Sequence, residues 1–213
     1  EVPFRMQPRN FVDFALHPTW VFQTLIEGVP KPANVVLPDA GKSKTTFTRN
    51  EIRGHIDWDF LDRLRELWQG KLILKGVMSP ADAVRIRDAG ADAVYVSNHG
   101  GRQLDAAPPA IDMLPQIRAA VGSDYPLIFD SGVRSGEGVV KALALGADFV
   151  LLGRAFLYAA GAAGERGVFR LVDLLSEQVA LTLGQIGYPD VGTIDRNALA
   201  VTQAGDLTDL GSV

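Results

Sequence analysis

A short phrase that occurs twice constrains this chain more than any other feature of its sequence. Gly90-Ala91-Asp92-Ala93-Val94 returns 56 residues later as Gly146-Ala147-Asp148-Phe149-Val150. Each copy stands where a helix runs out on glycine and a strand begins, and the interval holds two strand–helix units. Such an echo is what a (β/α) barrel produces. Four strands read as short apolar runs at Lys71–Val77, Asp92–Ser97, Pro126–Ser131 and Asp148–Gly153. That composition predicts strands buried on both faces. The intervening helices are punctuated at both ends. Ser79-Pro80-Ala81-Asp82 supplies an N-cap, a first-turn proline and an early acid before a helix that closes at Gly90. Ser135-Gly136-Glu137 opens the helix that closes at Gly146 in the same way.

Four strands are half of an eight-stranded barrel, whose usual length is about 250 residues. Residues 71–160 alternate strand and helix regularly, whereas 1–70 hold helical stretches and a polar loop without four further strands. The fold class expected is therefore an α/β (β/α)8 TIM barrel to which this chain contributes about four βα units. A missing or separate chain would supply the others. Residues 30–50, rich in proline, lysine and polar side chains, read as a lid or mobile segment. Polar residues interrupt that stretch throughout, which argues against membrane insertion there. Beyond Leu171, Val172, Leu175, Val179 and Leu183 mark an amphipathic helix, and a polar tail begins at Asp190.

Composition narrows the function. Of 213 residues, 47% are hydrophobic, enough for a substantial core. The absence of cysteine excludes disulfides, thiolate zinc sites and cysteine nucleophiles, and no metal site is expected. A net charge of −4 argues against a general polyanion binder, so nucleic acid is not an expected partner. No apolar run approaches the roughly 20 residues of a membrane span, and no basic-then-apolar leader opens the sequence. A cytoplasmic protein is the expectation.

Chemistry concentrates after the strands. Ser97-Asn98-His99-Gly100-Gly101-Arg102-Gln103-Leu104-Asp105 follows the second strand, at the end where barrel active sites lie. His99 can take a proton near neutral pH and Arg102 offers a planar fork to a carboxylate. The glycines between them admit a tight turn and a flat ligand. The structural alternative is a strand-capping His99 and an Arg102–Asp105 pair. Lys75, inside an apolar strand, needs a partner. It reads either as a snorkelling lysine or as a cation beside an electron-rich cofactor group. Asp130-Ser131-Gly132-Val133-Arg134 and Gly153-Arg154 each run into a helix start, where free N–H groups attract anions. Gly132 and Gly153 would let a phosphate approach the backbone, with Arg134 and Arg154 adding charge. Solvated arginines are the alternative. His17, in Leu-His-Pro-Thr-Trp, and His55, in a connector, read as structural.

Taken together, the His-Pro-Thr-Trp helix, Leu-Ile-Leu-Lys-Gly-Val, Ser-Asn-His-Gly-Gly-Arg-Gln-Leu-Asp, Asp-Ser-Gly-Val-Arg-Ser-Gly and Leu-Leu-Gly-Arg-Ala resemble the FMN-dependent α-hydroxy acid oxidase/dehydrogenase family. That family includes glycolate, lactate and mandelate enzymes. The similarity covers most of residues 10–190, and the wording lies nearest the mandelate dehydrogenase-like members. It implies one FMN-binding barrel domain of which 1–213 is the C-terminal part. Residues 1–50 would form a helix and lid after the fourth strand, 51–190 strands five to eight, and 191–213 a tail.

The resemblance also implies roles. FMN would be the cofactor and a small L-2-hydroxy acid the substrate, oxidised to the 2-oxo acid. His99 would remove the hydroxyl proton while the α-hydrogen leaves to flavin N5, and Arg102 would clamp the carboxylate. Lys75 would lie near flavin N1 and O2, Ser97 would bond the ring, Asp130 would bind the ribityl chain, and Ser131 would also bind the cofactor. Gly132, Arg134, Gly153 and Arg154 would hold the phosphate. A homo-oligomer, such as a tetramer, is implied too. Absent from the chain are the family's first four strands, its substrate-binding tyrosines, a second arginine and the aspartate that orients the histidine. Two other readings compete. One is a non-catalytic half-barrel that needs a partner chain. The other is a phosphate-binding barrel of the IMP dehydrogenase type, disfavoured because that group uses a cysteine.

Overall fold

The computed structural model describes residues 8–28 and 57–199, and the chain divides into two units, Glu1–Gly54 and His55–Val213. The lid expected over 30–50, His55 and the tail beyond residue 199 lie outside the described residues. In the first unit, α1 (Pro8–Leu16) and α2 (Pro18–Glu27) pack on each other, with the Phe14 and Trp20 rings 5.7 Å apart. His17 joins the two helices, and its Nδ1 bonds the Asp13 carbonyl oxygen at 2.8 Å, a structural role as the sequence suggests.

The second unit is built from α3 (Trp58–Leu67), β1 (Ile73–Val77), α4 (Pro80–Asp88), β2 (Ala93–Val96), α5 (Ala110–Val121), β3 (Leu127–Phe129), α6 (Gly136–Ala144), β4 (Phe149–Val150) and α7 (Arg154–Ile186). Side-chain caps start three of the helices. Asp57 accepts from the Phe60 N–H, Ser79 from Asp82 and Ser135 from Gly138. The amphipathic helix expected beyond Leu171 is the second part of α7, which breaks at Ala163 and Gly164. All four strands are parallel and stand in chain order, β1-β2-β3-β4. They are shorter than the apolar runs, because the runs include the turns at either end.

One sequence expectation fails here. The sheet is buried on one face only. Val94, Val96, Leu127 and Phe129 point to the helices and pack with Ala83, Ile86, Leu114 and Ile117. The alternate residues stand on the other face, where Ile73 is 48% and Phe149 59% exposed. That second face carries apolar residues, like a barrel interior, but no layer among this unit's described residues covers it. Gly76, at φ +93°, makes a bulge between Lys75 and Val77. The bulge keeps Lys75 on the open face and turns Val77 into the core.

The repeated phrase proves to be a device at the opposite end of the strands from the candidate chemistry. Asp92 exchanges two bonds with Leu72, its N–H to the Leu72 oxygen at 2.8 Å and its Oδ2 from the Leu72 N–H at 2.9 Å. Asp148 does the same with Leu127, at 2.9 and 2.7 Å. An arginine locks each site. Arg65 donates to Gly90, Trp68 and Gly70 carbonyls and to Asp92. Arg118 donates to the carbonyls of Gly146, Gly122, Ser123 and Tyr125 and to Asp148 at 2.6 Å. Glycine is required beside it, since a Cβ on Gly146 would stand 2.7 Å from Arg118 Cγ.

Arg118→Ala strips four carbonyls and a carboxylate of their donor, and should cost about 3 kcal/mol in urea denaturation. Arg118→Lys should recover little, because one ammonium cannot span that set. The carboxyl of Asp92 is held below its ordinary value of 3.8 by hydrogen bonds from Lys71 and the Leu72 N–H and by the nearby Arg65. A depressed folded value means stability present above the ordinary carboxylate range and lost as pH falls through the folded value. Asp92→Asn should therefore flatten the acid limb of a stability–pH curve, and an unchanged limb would contradict the assignment.

Candidate functional site

The C-terminal ends of the strands gather most of the residues singled out in the sequence. Register places Lys75 opposite Tyr95 on the open face, and Ser97 follows Tyr95 on that same face two residues later. Lys75 Nζ donates to Ser97 Oγ at 2.7 Å and to Asp130 Oδ2 at 2.9 Å. The Tyr95 hydroxyl donates to Asp130 Oδ2 at 2.7 Å, and Ser131 Oγ to Asp130 Oδ1 at 2.8 Å. Burial pushes the Asp130 carboxyl up, but bonds from Ser97, Lys75, Tyr95 and Ser131 outweigh it and leave the carboxyl below its ordinary value. Burial, then the bond to Asp130, raises the Tyr95 hydroxyl well above its usual range, so it stays a neutral donor.

This cluster is wired into the loop after β2. Ser97 Oγ accepts the His99 N–H at 3.1 Å, and Asn98 Oδ1 accepts the Gly101 N–H at 3.2 Å. The peptide of Gly100 ties three loops together. Its N–H donates to Ser131 Oγ at 3.1 Å, and its carbonyl accepts from Arg154 Nη2 at 2.7 Å. Gly100 is at φ +67°, and a Cβ there would come within 2.9 Å of Arg154 Nη2. His99 at φ +58° and Ser131 at φ +85° are the non-glycine residues with positive φ among the described residues. Strain of this kind persists where the surroundings over-determine it, and it clusters at functional sites.

The His99 and Arg102 side chains are exposed and, among the described residues, make no hydrogen bond or ion pair. The Arg102–Asp105 pair of the structural alternative does not form there, and the side-chain cap in this loop is Asn98, which caps the turn His99–Gly101 rather than the strand. A cavity of about 420 Å³ lies beside the loop, lined by Gly100, Gly101, Ser131, Gly132, Lys141 and Arg154 among others. A larger one of about 660 Å³ lies among β4, α6 and α7, away from these groups.

The two helix starts differ. In α6 the N–H groups of Gly136 and Gly138 are taken by Gln178 and Ser135, and Arg134 donates back to the Val133 carbonyl at 2.7 Å. In α7 the N-cap is Gly153, which brings no side-chain cap, and a Cβ there would meet nothing within 4 Å. The α7 start, with Arg154, therefore offers an open anion site. Sequence reasoning had treated the two starts alike, and it missed Tyr95 and Asn98. The signal for Tyr95 was the alternation Ala93-Val94-Tyr95-Val96-Ser97, which puts the tyrosine on the face of Ser97.

The strain at His99 yields a test that needs no ligand. His99→Gly removes the Cβ from a left-handed backbone position, whereas His99→Ala retains it. The glycine variant should be the more stable by about 1 kcal/mol in urea denaturation, and the reverse order would show that the loop relaxes in solution.

With this geometry in hand, comparison with known proteins places the chain. The family model for FMN-dependent dehydrogenases matches residues 1–201. The L-lactate dehydrogenase of Yersinia pestis (strain Pestoides F) is 38% identical over 202 residues, which are 92% of this chain and 53% of that protein. A crystal structure of the monotopic membrane protein (S)-mandelate dehydrogenase aligns with a TM-score of 0.85 at 40% identity, covering 94% of this chain and 54% of that one. A mandelate oxidase structure with (S)-4-hydroxymandelic acid aligns with a TM-score of 0.62 at 45% identity, covering 65% and 39%. The chain thus spans about half the length of the relatives it matches. These matches do not favour a non-catalytic half-barrel or an IMP dehydrogenase-type barrel. Fold and sequence agree that the chain belongs to the FMN-dependent dehydrogenase family.

Proposed function

We propose that this chain is the part of an FMN-dependent 2-hydroxy acid oxidase or dehydrogenase that carries the proton acceptor, the carboxylate clamp and the phosphate cradle. A lactate-, mandelate- or glycolate-like L-2-hydroxy acid is the substrate. One observation supports this reading above the rest: Gly100 joins the loops after β2, β3 and β4, between a strained His99 and an Arg102 that has no partner among the described residues. Barrel enzymes assemble their chemistry from such loops.

The residues present fit FMN. Its phosphate needs free N–H groups and positive charge, which the uncapped start of α7 and Arg154 supply. Its flat ring needs close backbone approach, and a Cβ added at Gly101 would meet nothing within 4 Å. Its ring also needs a cation for the charge that accumulates on reduction, and Lys75 stands on the open face. Ser97, Asp130 and Ser131 would line the approach, with Gly132, Gly153 and Arg154 nearest the phosphate. Arg134 would join them by releasing the Val133 carbonyl.

FMN, when bound, supplies the two-electron acceptor for the substrate's α-hydrogen. Arg102 would hold the substrate carboxylate in its guanidinium fork, which fixes the hydroxyl toward His99. The His99 imidazole nitrogen would take the hydroxyl proton as the carbon–oxygen double bond forms. The tie of the His99 N–H to Ser97 Oγ anchors the backbone that carries this ring beside the Lys75 cluster.

The other four βα units would cover the open face, and the assembled protein would be a homo-oligomer of the cytoplasm. Among the described residues no helix is long and apolar enough to cross a membrane. The likeness to a monotopic membrane protein favours attachment to a membrane surface as the second reading.

The decisive experiment compares the 213-residue chain alone with the chain co-expressed with the first four βα units of a relative. Lactate, mandelate and glycolate would be tested, both aerobically and with an artificial dye. The chain alone should show no turnover, and the pair should be yellow and active. His99→Gln should then lower kcat about 10²- to 10⁴-fold, while Arg102→Ala should raise KM most. Full activity of the chain alone would refute the half-barrel, and a colourless, inactive pair would refute the flavin reading.

A further inference from the structure

Tyr95 has no task in the reaction described above, yet it occupies the centre of the polar cluster. Its ring centroid lies 4.0 Å from Lys75 Nζ, and its hydroxyl donates to the same oxygen of Asp130 that Lys75 engages. We propose that Tyr95 is a positioning residue for Lys75, its ring holding the ammonium directly and its hydroxyl holding it through Asp130. The charge is thereby kept on the open face of the sheet where the flavin ring would lie. What the charge serves rests on the flavin reading; how it is held does not.

The need for such a device follows from lysine itself. A four-carbon stem carries about 2 kcal/mol of rotamer entropy and defines no direction for its charge. An unshared carboxylate would draw the ammonium to itself and dominate where it points. Tyr95 alters both terms. Its hydroxyl occupies part of Asp130 Oδ2, so Lys75 shares that oxygen with a neutral donor. Its ring offers the negative face of an aromatic quadrupole to the cation, an attraction that strengthens when water is excluded. Two of the three ammonium N–H bonds are committed to Ser97 and Asp130, which leaves a third that neither takes.

The arrangement is written into the sheet. Register sets Lys75 opposite Tyr95, and the Gly76 bulge ends that register immediately afterwards. Tyr125 shows what a tyrosine with a purely structural role looks like in the same unit. It packs against the core, and its hydroxyl donates to a backbone carbonyl, that of Ala91, at 2.9 Å. Tyr95 belongs to no core cluster, and both its ring and its hydroxyl address ionised side chains.

Selective labelling of lysine in the full chain tests this without any ligand. In the wild type the Lys75 side-chain protons should be shifted upfield by the Tyr95 ring, and the amine should acylate slowly. Tyr95→Leu should abolish the shift and speed acylation severalfold, whereas Tyr95→Phe should keep the shift and recover most of the protection. Tyr125→Phe, which removes a hydroxyl of purely structural role, should leave Lys75 unchanged. A Lys75 spectrum and labelling rate unaffected by Tyr95→Leu would overturn the proposal, as would an equal response to Tyr125→Phe. Binding of oxidised and of reduced FMN then tests the reading beneath it. The preference for reduced FMN should fall about tenfold in Tyr95→Leu, within the strength of a desolvated cation–π contact. A wild-type chain that binds neither form even when co-expressed with the first four βα units of a relative would sink the flavin site, while the labelling result would still decide the role of Tyr95.

Discussion

The Lys75–Asp130 pair is the interaction on which the candidate site depends. A lysine in an apolar strand is costly unless its charge is met, and Asp130 meets it from two strands away at 2.9 Å. Asp130 can do so as a carboxylate because Tyr95 and Ser131 also donate to it. Ser97 and Ser131 in turn each accept an N–H from the His99–Gly100 segment. The backbone that carries the exposed imidazole is thus anchored by a chain of bonds that starts at the half-exposed Lys75–Asp130 pair. Losing Lys75 would leave Asp130 without its counter-ion and slacken the loop that carries His99.

The two ends of the sheet divide labour, and the division explains why the most repetitive part of the sequence is not the chemical part. At the N-terminal ends, the aspartate of each repeated phrase bonds both backbone groups of a residue at or just before a strand's start, under an arginine that collects loop carbonyls. Backbone groups at strand starts must be satisfied wherever a strand begins, so the same solution serves twice. At the C-terminal ends each loop differs, since each contributes a different group to one place. Repetition marks what every βα unit requires, and singularity marks what the ligand requires.

The order of strands and helices was legible because period, caps and closing glycines all agreed. Ser79 and Ser135 cap their helices as the sequence predicts, and the four apolar runs contain the four strands. The expectation of burial on both faces failed for a physical reason. Apolar composition reports what a face is suited to touch, and the layer suited to touch this face is not among the described residues. In the site, Lys75, Ser97, Asp130, Ser131 and Arg154 could be chosen by residue type and place. The difference between Arg134 and Arg154 could not, because it turns on whether neighbouring N–H groups are already bonded to Ser135 and Gln178. Tyr95 was overlooked because a tyrosine in an apolar strand reads as core until register puts it beside a cation.

The uncovered face also links folding to chemistry. It carries Ile73 and Phe149, which favour burial, together with Lys75, Tyr95 and Asp130, whose interactions strengthen as water leaves. Of its two border strands, β4 is only two residues long and β1 carries Lys75, features that discourage indiscriminate strand pairing. Closing the sheet with four further strands would satisfy those edges and bury the apolar residues. In the same event it would lower the local dielectric around the ammonium, the carboxylate and the tyrosine. Completion of a barrel would in this sense also strengthen the site: the apolar residues around the polar cluster would favour a closure under which the cluster's interactions gain strength.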